Sequence, residues 1–156
     1  MVKTILLSFI LITATFYQGA NLFAQDKKQA ATMPAEILRL INVYRTGKGL
    51  PPLKNNDLVA QTAYKHSSNM ASQKIPFGHD GFERRTAELG KKLHKTEAFA
   101  ENVAYGARTA QEVVDIWLNS PVHKKNIEGD YELTGIGIAK APDGTLYFTQ
   151  IFVSHN

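Results

Sequence analysis

The chain has 156 residues, a formal net charge of +4 and no cysteine. The absence of cysteine excludes disulfide bonds, thiol catalysis and thiolate metal ligands. The excess of basic residues is small and scattered along the chain, so nucleic acid is not expected as a partner.

The first 24 residues are typical of a secretory signal peptide. Lys3 provides a positive charge, Ile5 to Phe16 form an apolar segment, and small or polar residues lead to a cleavage site after Ala24. The apolar segment is much shorter than the ~20 residues that span a bilayer, so no transmembrane segment is predicted. Cleavage would leave about 130 residues, the size of one domain, in the extracellular space or the periplasm.

A single domain is predicted over residues 34–156, after a short polar tail at 25–33. Its first helix opens at Pro34 and ends at Gly47, because the apolar residues between them recur at helical spacing. These apolar residues are Ile37, Leu38, Ile41 and Tyr44.

Three further helices are predicted in the middle of the chain. Asn56 caps the first of them, which follows a rigid connector and ends before Pro76. The second covers residues 82–90, and the segment 93–105 is ambiguous between helix and strand. A capping box at the start of residues 109–118 begins the third, in which the tryptophan is expected to lie in the core.

Ser120 and Pro121 then restart the backbone, with serine as the cap and proline as the first helical residue, so His123 falls in the first turn of a short helix. The helix dipole favours a neutral imidazole there, and this is the form that binds a metal or accepts a proton. His123 is therefore a candidate site residue. Three other histidines are interpreted as structural or surface residues: His66, His94 and His155.

The C-terminal part is predicted to form two β-strands, 134–140 and 145–153, joined by a turn. Apolar side chains point to both faces of the last strand, which is typical of a sheet covered on both sides. Gly135 and Gly137 leave one face of the other strand bare, so another element is expected to pack closely against it. Helices followed by an antiparallel hairpin indicate the α+β class, as a three-layer α-β-α sandwich around a mainly antiparallel sheet.

Glu101 is the most unusual polar residue of the chain. It lies in the segment 98–104, where every other residue except Asn102 is apolar. A carboxylate in such surroundings needs a partner or a raised pKa, unless the segment is an exposed edge. No spacing in the chain matches a metal, nucleophile or phosphate-binding motif, so these residues alone give a secreted α+β domain with candidate site residues.

Several segments, taken together, carry a more specific pattern. They are INVYR at 41–45 with GLPPL at 49–53, the helix with Ala63 and Met70, GHDGF at 78–82, AENVAYG at 100–106, WLNSPVHKKNI at 117–127 and GIGIA at 135–139. The pattern resembles the CAP superfamily (cysteine-rich secretory proteins, antigen 5, pathogenesis-related 1) in its bacterial, disulfide-free form. The resemblance covers residues 36–153 and implies an α-β-α sandwich with a central cleft.

The resemblance also implies a site. Family members line the cleft with two histidines and two acidic residues, and some bind a divalent metal there through the histidines. By position, His79 and His123 match the two histidines and Glu101 matches the first glutamate. The position of the second glutamate is Ser120 in this chain. A divalent metal such as zinc is therefore the expected cofactor.

Neighbouring residues are expected to support this site. Asp80 is a candidate for a second carboxylate, and Asn102 flanks the glutamate and is a candidate to orient it. Gly78 and Gly81 would allow the backbone to turn sharply and hold His79 over the cleft. The two phenylalanines of the loop, Phe77 and Phe82, are expected to anchor it in the core.

Three functions are compatible with this pattern. The preferred one is a secreted binding module without catalysis, whose partner is a small molecule, a lipid or a cell-envelope component. The alternative is a metal-dependent hydrolase of peptide or cell-wall substrates, because two histidines and one glutamate with an open position are the ligands of catalytic zinc sites. In the third, a buried His-Glu-His network only links the sheet to its helices.

Overall fold

The computed structural model describes residues 32–155, without the side chain of residue 155. The predicted signal peptide and most of the predicted polar tail lie outside the described residues. Five helices and four strands are present in the described part: α1 (32–47), β1 (Lys54–Asn55), α2 (Asp57–Ala71), α3 (Phe82–Leu93), β2 (Thr96–Tyr105), α4 (Ala110–Asn119), α5 (Pro121–Ile127), β3 (Leu133–Lys140) and β4 (Leu146–His155).

The predicted helices are present, with shifted ends. Helix α1 already includes Thr32 and Met33, so Pro34 does not open it, and Met33 packs in the core. Helix α3 continues to Leu93, beyond the predicted end at residue 90. Helix α2 begins where it was predicted, because the Asn56 side chain accepts hydrogen bonds from two backbone N–H groups of the first turn.

The caps of the two later helices differ in detail from the prediction. The Thr109 hydroxyl accepts a hydrogen bond from the Glu112 N–H at 3.2 Å, as a capping box requires. The Glu112 carboxylate, however, accepts from the Arg108 N–H and not from that of Thr109. Ser120 precedes α5, but its side chain makes no capping hydrogen bond, so Pro121 with its fixed φ is the residue that favours this helix start.

The four strands form one mixed sheet in the order β1-β3-β4-β2. The ambiguous segment forms β2, an edge strand that pairs antiparallel with β4. Strand β1 was not predicted, because only Lys54 and Asn55 of the connector pair with β3, in parallel. Two residues are too few to give an alternating pattern.

Two hydrophobic clusters cover the two faces of the sheet. Helices α1 and α4 pack on one face, through residues that include Ile37, Ile41, Val113, Trp117, Phe148 and Phe152. Helices α2 and α3 pack on the other, through Val59, Ala63, Leu89, Ile151 and Val153. The predicted α-β-α sandwich and the predicted core position of the tryptophan are confirmed.

Helix α2 lies directly on the bare face of β3. A Cβ atom at Gly135 would overlap the backbone of Val59 and Ala60, and one at Gly137 would overlap the backbone one turn later. The expected close approach is confirmed. Helix α2 lies so close to the sheet that a residue larger than glycine does not fit at either of these two positions of β3.

Arg45 joins the end of α1 to the segment that connects α5 with β3. Its side chain is buried and donates hydrogen bonds to the carbonyl groups of Pro51, Ile127, Gly129 and Tyr131. Carbonyl groups that would otherwise be buried without donors are thereby satisfied. The guanidinium therefore fixes where the chain turns back from α5 towards the sheet.

Candidate functional site

Glu101 is the centre of the site. It lies on β2 and its side chain is 1% exposed. Arg85 from α3 donates Nε to Glu101 Oε2 at 2.7 Å and Nη2 to Glu101 Oε1. A two-pronged pair of this kind compensates a buried negative charge, so Glu101 has the partner that its surroundings require.

His79 completes the hydrogen bonding of the same carboxylate. Its Nδ1 lies 2.9 Å from Glu101 Oε1. Because a carboxylate bound by Arg85 only accepts hydrogen bonds, His79 Nδ1 is the donor and the lone pair of the neutral ring is on Nε2. The His79 side chain is 51% exposed, so solvent or a ligand can reach the ring.

Arg85 also holds the loop that carries His79. Its Nη1 donates to the Asp80 carbonyl at 2.7 Å, and its Nη2 donates to the His79 carbonyl at 3.3 Å. Gly78 and Gly81 have φ angles of 146° and 74°, which residues with a side chain rarely adopt. The predicted sharp turn is present. Asp80 contributes its carbonyl group to this arrangement, and its side chain is exposed.

The phenylalanines of this loop do not act as predicted. Phe77 is 47% exposed, and its ring packs edge-on against Tyr105 with the centroids 4.8 Å apart. Phe82 is half-buried and its ring lies 5.7 Å from the guanidinium carbon of Arg85. The prediction that Phe77 lies in the core is wrong, because the chain between α2 and α3 crosses the surface at this point.

His66 from α2 approaches the site from the buried side. Its Nε2 donates to the Gly78 carbonyl at 2.8 Å and lies 3.8 Å from Glu101 Oε1. Burial is the largest cause that lowers the pKa of His66 below its usual value. The interpretation of His66 as a structural residue is consistent with this position, since it ties α2 to the loop before His79.

Stability is expected to fall as the pH falls from about 7 to about 5. As the pH falls, a histidine whose pKa is lowered by folding takes up its proton in the unfolded state first. The contribution of His66 to stability is therefore fully present above pH 6.5 and is lost below it. His66→Gln keeps a donor for the Gly78 carbonyl and should make the fall shallower in urea unfolding at several pH values. An identical pH dependence in the variant would contradict this.

His123 is the third residue of α5, in its first turn as predicted. Its Nδ1 is buried and has no hydrogen-bond partner among residues 32–155. Burial is the main cause that lowers the pKa of His123, and repulsion from His79 when that ring is protonated is the second. The neutral form of the His123 imidazole is therefore favoured, as expected. The main cause is burial, whereas the expected cause was the helix dipole.

Asn102 positions the helix of His123. Its Nδ2 donates to the His123 carbonyl at 3.1 Å, and its Oδ1 accepts from Asn126 Nδ2 at 2.8 Å. The Asn126 amide also donates to the Glu101 carbonyl at 3.2 Å. Asn102 thus links β2 to α5. Its side chain makes no hydrogen bond to the Glu101 carboxylate, which it was expected to orient. Ser120 lies three residues before His123, at the junction of α4 and α5.

The donor set available to a metal is small. Among residues 32–155, no group of three or more His, Cys, Asp or Glu side chains is arranged to hold a metal ion. The Glu101 carboxylate is already engaged by Arg85 and His79. The imidazoles of His79 and His123 remain as possible ligands. The Glu101 carboxylate would not bind the metal itself but orients the His79 ring from outside. Two imidazoles without a free carboxylate would hold a divalent ion only weakly.

Arg85 was missed in the sequence and His66 was assigned only a structural role, although both residues carried a signal. Arg85 lies on the inward stripe of α3, three residues after Phe82 and four before Leu89. His66 lies three residues after Ala63 on the buried stripe of α2. Charged or polar residues on an apolar stripe need buried partners, and these two converge on Glu101.

Comparison with known proteins gives a family match over most of the chain. A family model described as the cysteine-rich secretory protein family (CAP) matches residues 38–152. Two Bacillus subtilis proteins, YkwD and the membrane protein YlbC, are 28% and 30% identical over 125 and 132 residues. These alignments cover 76% and 81% of this chain but 46% and 36% of the relatives. The chain therefore spans less than half the length of the curated relatives it matches.

Solved structures share the fold. An extracellular protein with an SCP domain from Bacillus anthracis is 27% identical with a TM-score of 0.61, covering 80% of this chain and 41% of that one. A cysteine-rich secretory protein from Staphylococcus aureus is 24% identical with a TM-score of 0.66, covering 81% and 40%. An outer surface protein from Borrelia burgdorferi is 22% identical with a TM-score of 0.64, covering 76% and 90%. In the described part of this chain, no helix is long and apolar enough to cross a membrane.

Proposed function

The chain belongs to the cysteine-rich secretory protein (CAP) family, and from this premise we propose that it is an exported binding module whose cleft takes a divalent metal ion through His79 and His123. Export is supported by the signal-like first 24 residues and by similarity to a Bacillus anthracis protein described as extracellular. The partner recognised through the cleft would be a small molecule, a lipid or a component of the cell envelope.

The observation that carries the proposal is the contact between His79 and Glu101. The 2.9 Å hydrogen bond from Nδ1 fixes the tautomer and orients the ring, which leaves the lone pair of Nε2 available to a metal on an exposed side chain. Carboxylate partners of this kind make an imidazole a better metal ligand. Burial favours the neutral form of the His123 imidazole, which is the form that binds a metal.

A metal such as zinc would supply a positive charge in the cleft that attracts a carbonyl or an anionic group of a ligand. The chain's own residues supply the rest. Arg85 holds the loop of His79 in place, and Asn102 holds the helix of His123. The two histidines therefore come from different elements that are both fixed to β2.

The hydrolase alternative has less support. A hydrolytic site needs a carboxylate that is free to take a proton from water. Both oxygens of Glu101 accept hydrogen bonds from Arg85, and Ser120 stands at the position of the second family glutamate. The Asp80 side chain is exposed, and only its carbonyl is drawn into the site.

Calorimetric titration of zinc into the purified protein tests the proposal. Saturable binding of one ion is expected, and His79→Ala and His123→Ala should each weaken it at least about tenfold. His94→Ala removes an exposed histidine at the end of α3 and should leave the affinity unchanged. Equal affinity in wild type and His123→Ala would show that the two histidines do not act together, and the proposal would be wrong.

A further inference from the structure

Three aromatic side chains form a cluster at the surface, next to the loop that carries His79. The rings of Phe77, Tyr105 and Tyr147 contact one another, with centroid separations of 4.8, 5.7 and 6.4 Å. Phe77 is 47% exposed and Tyr105 is 55% exposed. Exposed aromatic residues that gather on one surface usually mark a binding site, because a folded chain gains little by leaving them in water.

The cluster is built on a rigid part of the sheet. Tyr105 and Tyr147 stand directly opposite each other on β2 and β4, and their rings stack with an interplanar angle of 20°. Phe77 leans against Tyr105 from the loop that carries His79. Two of the three rings are thus fixed by strand pairing, which lowers the entropic cost of binding to them.

Tyr147 also borders an open groove of about 270 Å³. Three side chains that can form hydrogen bonds also line this groove: Ser72, Gln73 and Asp143. The Thr145 N–H donates to Asp143 Oδ1 at 2.9 Å and lowers the pKa of that carboxyl group, which keeps it an acceptor. Flat apolar faces and polar acceptors therefore meet at Tyr147.

We propose that the Phe77–Tyr105–Tyr147 cluster and the adjoining groove bind an uncharged sugar chain. The C–H groups on one face of a sugar ring carry a slight positive charge and pack on the negative face of an aromatic ring, while the hydroxyl groups at the ring edge hydrogen-bond to polar side chains. Sites that combine aromatic surface with a few placed polar groups are typical of small-ligand recognition.

The charge of the groove decides between neutral and acidic sugars. Its described lining contains one charged side chain, the carboxylate of Asp143. A carboxylate repels uronic acids, sulfated sugars and phosphate-linked polymers but accepts hydrogen bonds from hydroxyl groups. The rings and the groove do not involve His79 or His123, so this site goes beyond the proposed metal cleft.

The test is titration of the full purified protein with two probes, the β-1,4-linked tetrasaccharides of glucose and of N-acetylglucosamine. Saturable binding of at least one probe is expected. Tyr105→Leu keeps an apolar side chain but removes the ring, and it should weaken binding at least about fivefold. Tyr64→Leu is the matched control, because Tyr64 is equally exposed, at 55%, on helix α2 and outside the cluster. Asp143→Asn should weaken binding as well.

Zinc affinity should be the same in Tyr105→Leu and in wild type, so failure of the sugar site and failure of the metal cleft can be told apart. The proposal is overturned if neither probe binds at about 10 mM. It is also overturned if Tyr64→Leu weakens binding as much as Tyr105→Leu. Self-association that Tyr105→Leu abolishes, without binding of either probe, would assign the cluster to contact between copies of the chain and overturn it too.

Discussion

Replacing Arg85 with methionine is expected to lower the free energy of unfolding by about 3–5 kcal/mol, because Glu101 would then be buried without its compensating charge. The Glu101 side chain is 1% exposed and that of Arg85 is 12% exposed, so water screens the pair little. The loss also releases the loop of His79, since Arg85 donates to two carbonyl groups there. Urea unfolding at neutral pH measures the effect.

Two further variants make this result specific. Arg84→Met removes the neighbouring exposed charge of the same helix and should change stability by less than about 0.5 kcal/mol. Adding Glu101→Gln to Arg85→Met removes the uncompensated charge, so it should restore part of the lost stability. Equal stabilities of Arg84→Met and Arg85→Met would show that the pair does not compensate a buried charge.

Gly137→Ala is expected to cost about 3 kcal/mol or more, or to prevent folding, because the added methyl group would overlap the backbone of helix α2 at Ala63 and Tyr64. Backbone atoms cannot rotate away as a side chain can, so the helix must lift from the sheet. The shift would also move His66, which lies one turn further along α2. Thermal or urea unfolding measures the loss.

Gly47→Ala is the control for this substitution. Gly47 lies at the end of helix α1, and a Cβ atom there meets nothing within 4 Å. Alanine favours the helix by up to about 1 kcal/mol over glycine, so this variant should be neutral or slightly more stable. A Gly137→Ala protein as stable as wild type would contradict the close approach of α2 to β3.

The fold could be predicted from the sequence where local patterns are strong. Asn56 marks the start of α2 by a side-chain cap, and the pair Gly135 and Gly137 indicates that another element packs closely on β3. Strand β1 could not be predicted, because a two-residue strand depends on its partner. The capping role expected of Ser120 is absent, since its side chain makes no capping hydrogen bond, whereas Pro121 stands at the helix start as predicted.

The site could be predicted only as far as the residues that belong to its motifs. His79, Glu101 and His123 stand in the matching segments, but Arg85 lies between two of them, outside any motif. Its role arises from the packing of α3 against β2, which sequence spacing does not reveal. Phe77 was misplaced for the same reason, since its neighbours Tyr105 and Tyr147 come from distant strands.

The measurement that tests the central claim most directly is the nitrogen NMR spectrum of the His79 ring during the zinc titration. The account predicts a ring protonated at Nδ1, because that nitrogen donates to Glu101, and a zinc-dependent shift at Nε2 that saturates together with a shift of His123. A ring protonated at Nε2 in the metal-free protein, or zinc binding that leaves the nitrogens of His79 unchanged, would contradict it.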